Sequence, residues 1–136
     1  MIHILDTNII SAARRAERAP DLSRWLTAQD EATLFLSVVT IGEIERGIAL
    51  QEPKNPPFAR DLRHWMDGIL RLFSDRLLDF TAEDARRWGR LSARLGHPGA
   101  DLMIAAQALN RDATVVTRNT ADFAPTGARL LDPLGL

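Results

Sequence analysis

Short apolar segments alternate along this chain with longer segments whose apolar residues recur at helical spacing. The short segments are residues 2–5, 34–39, 77–80, 114–117 and 129–131. Apolar runs of this length, bounded by polar or turn residues, are typical of buried strands. Strands that alternate with helices favour a parallel sheet covered by helices on both faces. The pattern therefore predicts an α/β fold, and we expect one domain over residues 1–136.

The predicted helices fill the intervals between these strands. They cover residues 7–15, a segment from Pro20 through Leu26, a segment opening at 40–43, and residues 58–73, 81–95 and 100–110. Residues 51–57 contain three prolines and are predicted to form a loop. In a parallel sheet, ligands bind beyond the carboxyl ends of the strands. Acidic residues that follow strands are therefore the candidates for a functional site.

The composition excludes several classes of site. The chain has no cysteine, which excludes disulfides, thiolate zinc sites and a cysteine nucleophile and suits a reducing cytoplasm. We see no signal peptide at the start, and no apolar run approaches the roughly 20 residues of a membrane span. We therefore expect a cytoplasmic protein without a membrane partner.

The net charge is unusual for a protein that binds nucleic acid. The formal charge is -1 and the pI is about 6.3, whereas such proteins are normally basic. A bound divalent cation would supply positive charge where a phosphate sits. Low net charge therefore does not exclude a protein that binds nucleic acid through a metal ion.

Four carboxylates are placed where a crevice at the strand ends could collect them: Asp6, Glu43, Asp101 and Asp122. Together they would repel one another and raise each other's pKa, and a divalent cation would relieve that repulsion. Mg²⁺ takes carboxylates, waters and phosphate oxygens, and Mn²⁺ suits the same ligands. Such ions can activate water for in-line displacement at phosphorus.

Each acid also has a purely structural interpretation. Glu43 follows Thr40 at the spacing of a capping box, so it could simply close the start of a helix. Asp101 could stabilise a helix N-terminus, and Asp122 could form an Asx turn. Asp6 is the hardest to explain structurally, because a carboxylate directly ending an apolar strand needs partners.

Four segments in order resemble the PIN-domain ribonucleases, specifically the VapC and FitB toxins of toxin–antitoxin pairs. The segments are ILDTNIIS at residues 4–11, LSVVTIGEI at 36–44, PGADLMIAA at 98–106 and VTRNTADF at 116–123. The resemblance implies a three-layer α/β/α sandwich with a central parallel sheet. It also implies Mg²⁺- or Mn²⁺-dependent endonucleolytic cleavage of RNA, a homodimer, and a cognate antitoxin that blocks the site.

The resemblance carries over the four acids as the catalytic, metal-binding residues. It also identifies four polar residues that would line the site: Thr7, Asn8, Thr117 and Asn119. Arg46 and Arg118 are candidate phosphate contacts, because each lies near a proposed acid in sequence. The chain departs from the family pattern at Gln107, where threonine is frequent, and at residues 111–112, which replace a turn that often contains glycine.

Other polar and aromatic groups have weaker claims. No two of the three histidines are predicted to converge: His3 is expected in a strand, His64 on an exposed helix face and His97 in a loop. The three tryptophans fall on apolar faces and are expected in the core or in an interface. Three arginines at i, i+4 and i+8 form a stripe on one helix: Arg86, Arg90 and Arg94. A solvated face is the commoner role of such a stripe, and a contact with RNA or with a second subunit is the alternative.

Three other functions compete with the nuclease hypothesis. An aspartyl-phosphate phosphatase of the haloacid dehalogenase type needs a D-x-D pair and a downstream lysine, whereas Asp6 precedes Thr7 and Asn8 and the sole lysine, Lys54, is in the proline loop. A response-regulator receiver domain lacks the same lysine. A non-catalytic PIN-like module that binds RNA or protein would have no reason to keep four mutually repelling acids.

Overall fold

A computed structural model of the chain describes residues 1–134. Its strands are β1 (His3–Leu5), β2 (Leu34–Ser37), β3 (Leu77–Leu78), β4 (Thr114–Val116) and β5 (Arg129–Leu131). All neighbouring strands pair in parallel, in the order β3-β2-β1-β4-β5. The predicted parallel sheet is confirmed.

Seven helices connect the strands within the described residues. They are α1 (Thr7–Ala13), α2 (Pro20–Ala28), α3 (Val38–Gln51), α4 (Pro56–Leu72), α5 (Ala82–Leu95), α6 (Ala100–Arg111) and α7 (Thr120–Phe123). Short 3-10 turns occur at Ala16–Arg18, Glu31–Thr33 and Ala124–Thr126. The expected helical segments all form, with shifts at their ends.

The sheet separates two hydrophobic clusters, because successive residues of a strand point to opposite faces. Leu5 and Val116 pack into one cluster with residues of α1, α2, α3 and α4. Ile4 and Val115 pack into the other with residues of α5, α6 and α7. Helices therefore cover both faces, and the expected three-layer α/β/α sandwich is confirmed.

Several predicted boundaries were wrong by one or more residues, and helix caps explain two of them. Strand β2 ends at Ser37 rather than at residue 39, because the Ser37 hydroxyl accepts a hydrogen bond from the Val39 N–H at 2.9 Å and caps α3. The predicted loop at 51–57 shrinks to residues 52–55, because the Asn55 side chain caps α4 and two prolines occupy its first turn.

Helices α5 and α6 are joined by a buried ion pair. Asp84 is 1% exposed and completes the capping box of α5 with Thr81, and its carboxylate also accepts hydrogen bonds from Arg111 and Asn110. Burial alone would raise the pKa of Asp84, but the Arg111 guanidinium and the N–H donors outweigh it and hold that pKa well below its usual range. This pair joins the C-terminal end of α6 to the start of α5, and the first turn of α6 carries Asp101.

The strand order creates a crevice beside Asp6. The chain passes from β1 outward through β2 to β3, then returns to place β4 on the opposite side of β1. The connections after β1 and β4 therefore leave in opposite directions across the sheet. Ligands bind at such a switch point in open α/β sheets.

Candidate active site

Asp6 lies at this switch point, directly after β1. The residue is 6% exposed. The Oδ1 atom accepts a hydrogen bond from the Thr7 N–H at 2.8 Å, and Oδ2 accepts one from the Thr117 hydroxyl at 2.9 Å. The Asp6 N–H donates to the Val116 carbonyl at 2.9 Å. The ends of β1 and β4 thus hold this carboxylate in one orientation.

Burial raises the pKa of the Asp6 carboxyl above its ordinary value. The hydrogen bonds from Thr117 and Thr7 act in the opposite direction because they favour the charged form. The negative charges of Glu43 and Asp101 add to the increase. Three of the predicted acids therefore interact electrostatically, although they are far apart in the sequence.

Glu43 lies in the second turn of α3, as its sixth residue, and not in the first turn as predicted. The capping-box interpretation is wrong, since Ser37 caps this helix and Thr40 is inside it. The exposed Glu43 carboxylate instead accepts a hydrogen bond at 2.6 Å from the hydroxyl of Thr7, in α1. Its position is therefore tied to the residue that follows Asp6.

Asp101 is the second residue of α6 and is half-buried. Its Oδ1 atom accepts a hydrogen bond from the Leu102 N–H at 3.1 Å, which fits the helix-terminus interpretation. A side-chain carbon at Gly99 would lie 2.6 Å from this oxygen and 3.1 Å from His97 Nδ1. Glycine at residue 99 therefore leaves space for the Asp101 carboxylate.

Asp122 lies in the short helix α7 and is exposed. Its N–H donates to the Asn119 carbonyl at 3.1 Å. Its carboxylate accepts no hydrogen bond within residues 1–134, so the Asx-turn interpretation gains no support from the described part of the chain.

The four acids surround one cavity of about 210 Å³. The residues lining it are Asp6, Thr7, Asn8, Glu43, Ala100, Asp101, Asn119, Asp122 and Phe123. Of the four polar residues expected at the site, three line this cavity. Thr117 is fully buried behind them and contacts Asp6. The structure thus brings together the acids and polar residues selected from the sequence.

Positive side chains do not balance this charge within residues 1–134. None of the ion pairs there involves any of the four acids. Arg46 and Arg118 are exposed and are not among the cavity's lining residues. The charge on the acids is therefore left for solvent or a bound cation to neutralise.

The donor set suits a hydrated magnesium or manganese ion. No three acidic or histidine side chains within residues 1–134 have the spacing to hold a bare metal ion. Mg²⁺, however, binds through one or two carboxylates and keeps several waters. A cavity lined by carboxylate, hydroxyl and amide oxygens offers hard ligands and room for such waters.

The contact between Thr40 and the candidate site was not predicted from the sequence. Its hydroxyl is 2.9 Å from that of Thr7, which in turn donates to Glu43. Gln107 was selected from the sequence only as a departure from the family pattern, and its contact was not predicted: its Oε1 accepts a hydrogen bond from the Ser37 hydroxyl at 2.5 Å. The sequence does show a hydroxyl residue, Thr40, three positions before Glu43, but this spacing was interpreted as a capping box.

The remaining polar and aromatic groups lie as expected. His3 is a half-buried strand residue, His64 is exposed and His97 is in a loop. The three tryptophans are half-buried and pack against the hydrophobic clusters. The stripe of Arg86, Arg90 and Arg94 on α5 is exposed. None of the helices within residues 1–134 combines the length and hydropathy of a membrane span.

Comparisons with known proteins give consistent similarities. The model of the PIN domain family matches residues 3–127. The chain is 35% identical to the plasmid stability protein StbB of Pseudomonas syringae pv. tomato, 31% to VapC ribonuclease Y4jK of Sinorhizobium fredii and 30% to toxin FitB of Neisseria gonorrhoeae. Each alignment covers 96% of both chains.

The fold has a close counterpart among solved structures. The crystal structure of FitAcB from Neisseria gonorrhoeae superposes with a TM-score of 0.85 at 29% sequence identity. That match covers 99% of this chain and 100% of the other. The strands and helices of this chain therefore have the same overall arrangement as those of that protein.

Proposed function

This chain belongs to the PIN-domain family, and from that membership we propose that it is a Mg²⁺- or Mn²⁺-dependent endoribonuclease that hydrolyses RNA phosphodiester bonds. The resemblance to VapC and FitB toxins noted in the four sequence segments is confirmed by the matches to both. The relative from Sinorhizobium fredii is named a ribonuclease, which supports RNA as the substrate of this chain.

One observation carries the proposal: four carboxylates from separate elements line a single cavity of about 210 Å³, and no lysine or arginine of residues 1–134 pairs with them. Mutual repulsion in such a site is costly unless a cation binds. A purely structural role for each acid would not require their convergence. We assign the metal-binding and catalytic roles to Asp6, Glu43, Asp101 and Asp122.

The side chains around the acids would control how a cation and a phosphate are held. The Thr117 hydroxyl and the Thr7 N–H orient the Asp6 carboxylate, and the Thr7 hydroxyl orients Glu43. A bound divalent cation would supply Lewis acidity that activates water and stabilises charge developing on the phosphate. Without the cation, the acids would repel the phosphate.

Polar groups near the cavity are candidate contacts for the substrate. Asn8 and Asn119 line the cavity and are exposed, so their amide groups can donate to phosphate or water. Arg46 lies one turn after Glu43 in α3, and Arg118 lies next to Thr117. Both arginines are exposed and free of ion pairs within residues 1–134, so both are available to bind phosphate.

The biological role that follows is that of the toxin in a toxin–antitoxin pair. The relative from Neisseria gonorrhoeae is named a toxin, and its alignment covers nearly all of both chains. We extend that role to this chain, with a cognate antitoxin as partner, a homodimeric state and action in the cytoplasm, where RNA is available.

Cleavage of RNA by the purified protein tests the proposed function. We expect endonucleolytic products with Mg²⁺ or Mn²⁺ and none with a chelator. Asp101→Asn should lower the rate by roughly 100-fold or more, because it removes a charge facing the cation at the reaction centre. The readout is cleavage of a labelled RNA followed on a gel.

Asp67→Asn is the matched control, since Asp67 is an exposed acid on α4 outside the cavity. It should keep the wild-type rate. If the folded wild-type protein binds RNA but leaves it intact at every metal concentration, the protein is instead a non-catalytic binding module. Equal loss in both variants would show that the acids of the cavity have no special role.

A further inference from the structure

Thr40 is a buried polar residue with an unusual partner. It is the third residue of α3 and is 0% exposed. A threonine inside a helix commonly bonds a backbone carbonyl one turn earlier. Within residues 1–134, the hydroxyl of Thr40 instead contacts the Thr7 hydroxyl of α1, at 2.9 Å. The buried hydroxyl of Thr40 therefore finds its hydrogen-bond partner in a residue of the candidate active site.

The direction of the hydrogen bonds follows from the number of protons. A hydroxyl carries one proton and a carboxylate is an acceptor alone. Thr7 donates its proton to Glu43 Oε1 at 2.6 Å. The proton between the two hydroxyls must therefore come from Thr40. The result is a chain of donors that runs from Thr40 through Thr7 to Glu43.

These two hydrogen bonds hold the side chain of Glu43, which has no other partner within residues 1–134. Glu43 is exposed, and it makes no ion pair within residues 1–134. Its hydrogen-bond donor, Thr7, could rotate its hydroxyl toward the solvent of the cavity. Donation by Thr40 occupies an acceptor site of the Thr7 oxygen and leaves the Thr7 proton directed at Glu43. Successive hydrogen bonds of this kind also strengthen one another.

We propose that Thr40 is a positioning residue that sets the Glu43 carboxylate in the candidate active site by orienting the Thr7 hydroxyl. The proposal rests on the proposed ribonuclease function for its kinetic consequence, but not for its structural one. A valine at residue 40 would occupy nearly the same volume without burying a hydroxyl. The hydroxyl is therefore explained by its donation and not by packing.

The kinetic test compares Thr40→Val with Thr40→Ser under saturating Mn²⁺. Thr40→Val should lower kcat about fivefold, the rate equivalent of one neutral hydrogen bond, with KM for RNA unchanged. Thr40→Ser keeps the hydroxyl and should restore kcat. In a Thr7→Val background, Thr40→Val should cause no further loss, because the intermediate hydroxyl is already absent.

The matched control is Thr114→Val, at a buried threonine that begins β4, at the end of that strand remote from Asp6. Its kcat should stay within about twofold of wild type, because a change at the far end of β4 alters stability and leaves the contacts of the candidate site in place. Additive losses in the Thr7→Val background, or a failure of serine to restore kcat, would overturn the proposal.

A crystal structure of the Thr40→Val variant separates this proposal from the ribonuclease function. We expect the Thr7–Glu43 hydrogen bond to be lost or partly occupied and Glu43 to adopt more than one rotamer. Glu43 unchanged and still bonded to Thr7 would contradict the positioning role even in a protein that cleaves no RNA. If the wild-type protein cleaves no RNA but Glu43 rearranges as expected in the variant, the proposed ribonuclease function is wrong and the positioning role of Thr40 stands.

Discussion

Asp6 is fixed in one orientation by hydrogen bonds, yet its negative charge destabilises the folded protein. Two hydrogen bonds favour its carboxylate, yet burial and the nearby charges of Glu43 and Asp101 raise its pKa. The folded chain therefore binds a proton at Asp6 more tightly than the unfolded chain does. Stability is lost as pH rises from the ordinary aspartate pKa through the higher pKa of the folded state.

Asp6→Asn should stabilise the metal-free protein at neutral pH. Asparagine keeps the shape and can still accept from the Thr7 N–H, but carries no charge. With a chelator present, we expect the variant to melt a few degrees above wild type at pH 7, and the difference to shrink toward pH 4. Differential scanning calorimetry across this range provides the measurement. A variant less stable than wild type at pH 7 would contradict the electrostatic strain inferred here.

The misassigned cap of α3 shows what a local pattern omits. Val38 and Val39 are β-branched and extend the apolar run of β2, so propensity favours strand through residue 39. The true cap, Ser37, is fully buried inside that run. Its capping bond to Val39 and its bond to Gln107 decide the boundary, and the second of these joins residues 70 positions apart. Sequence reasoning selected Glu43 correctly as a cavity residue but described its helix position wrongly.

At the scale of elements, Gln107 connects the two helices that carry Glu43 and Asp101. It is a fully buried residue of α6, and its Oε1 accepts from the Ser37 hydroxyl at the start of α3. Its Nε2 donates to the carbonyls of Leu78 and Asp79 at the end of β3, at 3.2 and 3.0 Å. One side chain thus links α6, the cap of α3 and an edge strand.

Gln107→Leu should destabilise the protein by about 2–3 kcal/mol, because it leaves buried hydrogen-bonding groups at Ser37 and β3 without partners. Gln51→Leu is the matched control: Gln51 is half-buried and its side chain makes no hydrogen bond within residues 1–134. That change should stay within about 0.5 kcal/mol. Urea unfolding of both variants gives the comparison. Similar losses in the two would show that the Gln107 network adds little.

At the scale of the whole molecule, the strand order creates the candidate site. The elements were largely predictable because each has its own periodicity and end signals, such as the capping box at Thr81 and Asp84. The order β3-β2-β1-β4-β5 was not, since no local pattern records which strands become neighbours. That order brings the ends of β1 and β4 together, and with them Asp6 and Thr117.

Convergence of the acids was foreseen, but their spacing was not. The sequence indicated a strand-end crevice, and the cavity lies there. The separation of the acids depends on how α3, α6 and α7 pack, which is a tertiary property. Within residues 1–134 no three acids lie close enough together to hold an ion without other ligands, and Mg²⁺ commonly keeps several waters among its ligands.

A metal-dependent ribonuclease should bind Mn²⁺ and cleave RNA over the same range of metal concentrations, and both can be measured on one preparation. Calorimetric titration of the metal-free protein gives the binding curve, and a labelled RNA gives the rate. We predict that the two curves share a midpoint, and that Asp6→Asn weakens binding and abolishes cleavage together. Full cleavage in a chelator, or Mn²⁺ binding that Asp6→Asn leaves unchanged, would contradict a metal-dependent ribonuclease built on these four acids.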